Sequence, residues 1–518
     1  MNREAKPEQL PEDIGELQQM VRELQGENLK QKLAYEQLEE KYQIILNRFF
    51  AKSTEKLNTV EQKQALLFNE AECLSEAPQE ESEERPVAAH TRVKKKGHGG
   101  REPLPEHLPR ETTEIDLPEE QKLCNCGAPL QRIGEEVSEK LEIRPPQFVV
   151  KRTVRHTYAC STGADESADT HTILTAAAAP QLIEKGIATE SLVAYIATAK
   201  YCDSLPLYRQ EKMFERLNIH IPRETMGRWI MRASKKLEPL IELFDDEIRA
   251  GPVINMDETR VQVHREQNRE NSSNSYMWVA VGGMPKKPIV RYLYAPSRGK
   301  HVPEVYLHSF RGYLQTDGYE GYSHIGGLGE ITHVACLAHI RRKFVEAAKV
   351  KKKTGAAHEA VSKIAKIYRT EKELREKNLP VEEFLAARRA AIGPLLEDFA
   401  LWLRKKDKVA PSSQLGKAIT YARGQWDKLS HFLDHEALTP DNNVSERAIR
   451  PFVIGRKNWQ FCDSPRGAYA SANFYSLIET AKLNGLDPYG YLRYVLSGCV
   501  TAETDGDWRK LLPQNFPG

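Results

Sequence analysis

The sequence predicts a multidomain chain built around a mixed α/β sheet, and three observations carry that reading. Short apolar runs at 253–256, 276–281, 289–294, 312–316 and 331–335 read as five strands, the last leading into a helix over Leu337–Ala348. Helix-forming sequence rich in lysine and arginine interrupts the pattern over 349–430, and a further helix follows Asp441-Asn442-Asn443. The 518 residues are too many for one domain, at about 100–200 residues each. The expected units are a coiled coil at 13–50, a linker with a basic run at 75–122, and a small zinc-ribbon-like segment at 123–165. A helical region at 180–250, the sheet in two parts at 251–348 and 440–475, the insertion at 349–430 and a helical tail at 476–518 complete them.

The N-terminal helix is called by spacing. Leu17, Val21, Leu24, Asn28, Gln31, Tyr35, Leu38, Tyr42 and Ile45 alternate four and three residues apart, the seam of a coiled coil that lets the chain self-associate. An intramolecular helix hairpin is the competing explanation. The linker carries Glu80-Glu81-Ser82-Glu83-Glu84, the run Lys94-Lys95-Lys96 and then Pro103, Pro105 and Pro109, too polar to fold alone. Cys124 and Cys126, an apparent β stretch at 148–154, then Cys160 outline a zinc ribbon, with His156 the nearest fourth donor. The C-x-C spacing is a poor chelate, so the segment reads as degenerate and zinc as doubtful. Between Leu207 and Trp229 the pattern is helix, turn, helix, with Arg223 and Arg228 on the second helix. Plain helical bundles share that pattern.

Two aspartates, Asp257 and Asp317, each follow an apolar strand, and the later helix brings Glu446. Three converging carboxylates repel one another unless a cation lies between them. Their hard oxygens suit Mg²⁺ or Mn²⁺, and a pair of such ions clamps the attacking and leaving oxygens of a phosphodiester. Each acid has a plainer explanation. A strand-end Asp often makes a turn, and Glu446 could complete a capping box with Asn443 or pair with Arg450.

The blocks Met256-Asp257-Glu258-Thr259, Leu314-Gln315-Thr316-Asp317-Gly318-Tyr319, Asp441-Asn442-Asn443-Val444-Ser445-Glu446-Arg447-Ala448-Ile449-Arg450-Pro451 and Gly455-Arg456-Lys457-Asn458-Trp459 resemble the insertion-sequence-66 transposases. So do the stretches at 48–57, 100–105, 475–482 and 485–489. The resemblance implies an RNase-H-like catalytic core with Asp257, Asp317 and Glu446 as an acidic triad holding two Mg²⁺ or Mn²⁺. It implies nicking of transposon ends and attack of the freed 3′-hydroxyl on target DNA. The family's zinc segment has two C-x-x-C pairs; here the first is compressed and Gly163 replaces the last cysteine. Cys336-Leu337-Ala338-His339 is similar to a C-x-x-H element of related transposases; Cys336 reads as helix-start packing and His339 as a DNA contact. Arg341, Arg342 and Lys343 would extend a phosphate-binding surface, as would Arg447, Arg450, Arg456 and Lys457, with Trp459 stacking a base or packing in the core.

Composition agrees with DNA as partner. The net charge of +2 hides a local charge of −8 over 1–90 and +11 over 341–430. No apolar run approaches the roughly 18 residues of a membrane span. The polar start leads us to expect no secretory leader, and eight cysteines are too sparse for a disulfide framework, so a cytoplasmic setting is expected. A nuclease or junction resolvase, and a DNA-binding protein with decayed catalysis, are the competing functions; companion proteins are left open. If the heptad seam drives association, deleting residues 1–60 should lower the number of chains per particle found by light scattering. Equal numbers of chains with and without the segment would refute it.

Overall fold

The computed structural model describes residues 13–50, 147–159, 173–325, 330–350 and 355–517. The chain divides into two compact units, one of residues 79–179 and one of the remainder.

In the smaller unit, β1 (Thr157–Ala159) pairs antiparallel with β2 (Ile173–Thr175), Tyr158 opposite Leu174. The strand expected at 148–154 is not formed; residues 147–156 belong to no strand, and β1 begins after them. Cys124, Cys126 and Cys160 lie outside the described residues.

The larger unit opens with α1 (Ile14–Phe50), as its heptad spacing predicts. Val21, Leu24, Tyr35, Leu38 and Tyr42, all seam positions, are exposed. The mixed sheet has the order β5–β4–β3–β6–β7, with the short β8 pairing β3. Strands β3 (Val253–Val263), β4 (Asn274–Met284) and β5 (Lys287–Ala295) are antiparallel neighbours; β6 (Gly312–Thr316) and β7 (Ile331–Ala335) extend the sheet in parallel. The strand expected to end at Met256 therefore runs on to Val263. Beyond Glu258 its residues alternate, Val261 and Val263 buried and Arg260 and Gln262 exposed, and β8 (Phe461–Cys462) joins its far end. Residues 277–281 of β4 are all buried, as both faces of the sheet are covered.

Helix α5 (Glu238–Ala250) packs on β4 and β5, and α12 (Asn443–Trp459) on β3 and β4. Helix α13 (Pro465–Leu483) lies against β5, whose edge would otherwise leave backbone groups unpaired. Its Ser476 hydroxyl accepts from Tyr292 N at 2.8 Å and its Thr480 hydroxyl from Val290 N at 2.9 Å. Turn geometry is tight where β6 starts: Gly312 has φ of +138°, and a Cβ there would stand 2.5 Å from the Pro252 carbonyl.

Helices α2 (Glu190–Tyr201), α3 (Leu207–Glu215) and α4 (Arg223–Lys236) precede the sheet. The expected helix–turn–helix is present, with Asn218 at φ of 58° in the turn. Met226, Trp229, Ile230 and Ala233 bury one face of α4, leaving Arg223 and Arg228 exposed on the other.

Short α6 (His301–Tyr306) precedes β6, and α7 (Leu337–Val350) follows β7. The insertion is helical as expected: α8 (Ala356–Glu376), α9 (Val381–Arg404), α10 (Gln414–Gly424) and α11 (Trp426–Leu429). Its apolar core, which takes in Ile364 and Ile367, is continuous with Val253 of β3 and Val334 and Ala335 of β7, and sets the Phe399 and Trp402 rings 6.0 and 5.9 Å from Phe344 of α7. At its centre Arg388, fully buried, donates to Glu371 at 2.8 and 2.9 Å and to the carbonyls of His435 and Leu438 at 3.0 and 2.8 Å. Arg375 binds the same carboxylate at 2.7 Å and Leu438 O at 2.6 Å. The ion cluster so holds the chain as it returns to the sheet. Two small helices, α14 (Pro488–Gly498) and α15 (Asp505–Lys510), close the tail. Among the described residues no helix is long and apolar enough to cross a membrane.

Removing Arg388 leaves the buried Glu371 with Arg375 alone and takes a donor from the His435 carbonyl, at about 1–3 kcal/mol. Arg388→Ala should lower the urea midpoint accordingly. An unchanged midpoint would show that the clamp contributes nothing.

Candidate active site

The site forms where the second stretch of the sheet domain meets the first. Cα partners Asn255 on β3 and Gln315 on β6 also join side chains, Asn255 Nδ2 donating to Gln315 Oε1 at 3.1 Å. The same amide donates to Asn442 Oδ1 at 2.9 Å, and Asn442 Nδ2 donates to Met256 O at 2.8 Å. Asn442 N reaches Cys336 Sγ at 3.2 Å, Gln315 Nε2 reaches Thr439 O at 2.7 Å, and Leu337 N reaches Pro440 O at 2.8 Å. Asn442 is 0% exposed, so nothing but these partners can satisfy it. Segment 439–442 is thereby fixed against β3, β6 and the start of α7, and α12 departs from it.

That junction sets the three predicted acids near one another. Asp257 lies two residues beyond Asn255 within β3, not past its end; its Oδ1 accepts from Glu258 N at 2.8 Å. Asp317 follows β6 directly and accepts from Tyr319 N at 2.9 Å, an Asx-type turn. Glu446 lies in the first turn of α12, 3% exposed, and neither of its oxygens accepts a hydrogen bond. Its oxygens face His339 Nε2 at 3.5 Å and Arg342 at 3.6 Å, both on α7. The capping-box explanation thus has no bond to support it.

The charges act on one another. Burial pushes the Asp257 carboxyl well up, reinforced by Glu258, Asp317 and Glu446. Burial raises Glu446 to about 7 against the opposing charge of Arg342, with Asp441 and Asp317 adding to the rise. Carboxyls held toward neutrality by burial and by each other gain from a cation, so the oxygen donors fit a divalent metal ion. Among the described residues, the group whose donor atoms all lie within 4.8 Å is a different one: Cys336, His339 and Glu446. Burial lowers His339 to about 4 and pushes the Cys336 thiol up.

Sequence reading missed Glu258, whose side chain is 1% exposed. Burial and Asp317 raise its carboxyl. Arg298 Nε donates to it at 2.7 Å and Tyr322 Oη at 2.8 Å, while the Arg298 guanidinium stacks 3.6 Å from the Tyr319 ring. Its place beside Asp257 was the signal available. Nothing in the spacing marked Asn255 or Asn442 as the joint.

Of the residues expected on DNA, Lys343, Arg447 and Lys457 are exposed, and Arg342, Arg450 and Arg456 half-buried. Arg341 is a correction: at 2% exposure it lies in the interior and adds nothing to an outer phosphate surface. Trp459 resolves toward packing, its ring edge-on to Phe452 at 5.4 Å with Lys200 above it at 5.3 Å. His339 faces Glu446 from a half-buried position. His156 is exposed, and its carbonyl accepts from Ala176 N at 3.1 Å.

Comparison with known proteins places this architecture. Residues 185–470 match the model of the transposase IS66 family, and residues 476–514 the IS66 C-terminal element. Residues 121–162 match the zinc-finger binding domain of transposase IS66, so the cysteine segment is that family's zinc-finger domain, and residues 37–113 match the model described as transposase C of IS166 homeodomain. An uncharacterized protein of Sinorhizobium fredii, y4jD, is 34% identical over 98% of this chain and 97% of its own. A second from that organism, y4qI, is 32% identical over 79% of this chain and 76% of its own. The chain belongs to the IS66 family of transposases.

The Glu446 environment has a measurable consequence in metal-free protein. The ordinary carboxyl value is 4.5 and the folded one about 7. As pH rises between them the unfolded chain releases its proton first, so folded stability falls. Glu446→Gln should therefore be the more stable protein at pH 8, by on the order of 2 kcal/mol, with the gap closing below about pH 5. A variant less stable than wild type at pH 8 would contradict the burial argument.

Proposed function

We propose that the sheet is an RNase-H-like catalytic core and that the chain cleaves the ends of an insertion sequence and joins the 3′-hydroxyl to target DNA by metal-dependent phosphoryl transfer. The observation that carries this reading is the convergence of Asp257, Asp317 and Glu446, from three separated stretches, on one another's charge at the Asn442 junction. The strand order, three antiparallel strands extended by two parallel ones, supports the fold assignment. Bound divalent ions would lower the proton affinity of the attacking oxygen and stabilise the leaving one. Asp257 and Asp317 would hold the ions from the sheet and Glu446 from α12. Glu258, gripped by Arg298 and Tyr322, keeps the strand beside Asp257 in place. Lys343 on α7, and Arg447 and Lys457 on α12, the helix of Glu446, are exposed cations for phosphates, and the basic insertion, net +9 over 349–430, and the exposed Arg223 and Arg228 offer more. The exposed α1 seam would pair two copies, as two transposon ends require.

Asp257→Asn, Asp317→Asn and Glu446→Gln should each abolish nicking and joining of a duplex carrying the transposon end, while leaving DNA binding intact. Combining them should add little, since the three act as a unit. Near-normal cleavage by any one would remove that residue from the site.

A further inference from the structure

We propose that Cys336, His339 and Glu446 form a binding site for a divalent cation of the zinc class, separate in its chemistry from the oxygen-only Mg²⁺ set. One thiol, one imidazole and one carboxylate are donors that Mg²⁺ disfavours and Zn²⁺ accepts. Their ligand atoms all lie within 4.8 Å of one another. His339 Nε2 and Glu446 Oε1 are 3.5 Å apart, too far for a hydrogen bond, yet two ligands at 2.0–2.2 Å on one tetrahedral ion stand about 3.3–3.6 Å apart. Glu446 also lacks a close partner: it is 3% exposed, neither oxygen accepts a hydrogen bond, and Arg342 stands 3.6 Å away.

The scaffold holds the other donors rigidly. Cys336 stands between the end of β7 and the first residue of α7, and its sulfur already accepts from the backbone N–H groups of Asn442 and His339. His339 lies one helical turn on, with its side chain 20% exposed, leaving a path for the ion and a fourth position for water. Binding would form the sulfur–metal bond as the thiol proton passes to solvent. Because Glu446 belongs to both donor sets, zinc held here would compete with Mg²⁺ for that carboxylate. The site itself does not depend on the catalytic role given to Glu446.

Cobalt(II) is the probe, since a thiolate ligand gives it a charge-transfer band absent with oxygen and nitrogen alone. Full-length wild type, Cys336→Ser and His339→Gln would be titrated with Co²⁺ and their bound ions counted. All three keep Cys124, Cys126 and Cys160, so any metal held there cancels in the comparison. Both variants should bind fewer cobalt ions per chain than wild type, or bind that ion at least about tenfold more weakly, and Cys336→Ser should lose part of the band. The half-exposed His339→Gln keeps the test sound if Cys336→Ser fails to fold. Equal binding by wild type and His339→Gln, or equal bands in wild type and a folded Cys336→Ser, would overturn the site. Neither reading involves DNA cleavage, so failure here is distinct from failure of the transposase assignment.

Discussion

The arrangement depends on one buried amide. Asn442 is completely enclosed and spends both ends of its side chain on β3, while its backbone N–H goes to Cys336. Any single hydrogen bond of this kind adds about 0.5–1.5 kcal/mol net, but a buried group left without its partner costs about 1–3 kcal/mol. The joint is therefore close to all-or-none. When it forms, the segment after a long helical insertion is locked to the sheet, and α12 leaves it with Glu446 in its first turn. The Arg388–Glu371–Arg375 cluster prepares that return by fixing the carbonyl of Leu438, just before the joint.

Against that order stands a deliberate electrostatic cost. Burial and the neighbouring acids raise the carboxyls of Asp257, Glu258 and Glu446. Glu258 alone among those three has direct support from an arginine within 2.7 Å and a tyrosine. A fold that leaves carboxylates this poorly compensated is poised for an external cation, and site geometry is kept at the expense of stability.

Much of this was legible in residues. The five strands, the long N-terminal helix, the helical insertion and the helix–turn–helix follow from period and turn chemistry. The acidic blocks named Asp257, Asp317 and Glu446, whose charges act on one another in the fold. β3 was cut short because Asp257 and Glu258 break its apolar run, though Val261 and Val263 carry the alternation on. Arg341 was misplaced because a basic triplet reads as surface, while a helix turns each successive residue by about 100°, and this one faces inward. The stretch at 148–154 is apolar and β-branched yet belongs to no strand, since pairing partners are a tertiary matter. The grouping of Cys336 and His339 with Glu446 was beyond reach, because their proximity exists only once the Asn442 joint closes.

The central claim is that three acids from distant stretches share one cation-binding place. Iron(II) in place of Mg²⁺, with ascorbate and peroxide, generates hydroxyl radicals that cut the backbone beside the bound ion. The account predicts cuts near Asp257, Asp317 and Glu446 together, with the cut near Asp317 lost in Asp257→Asn. Cuts confined to one of those segments, or unchanged by Asp257→Asn, would contradict it.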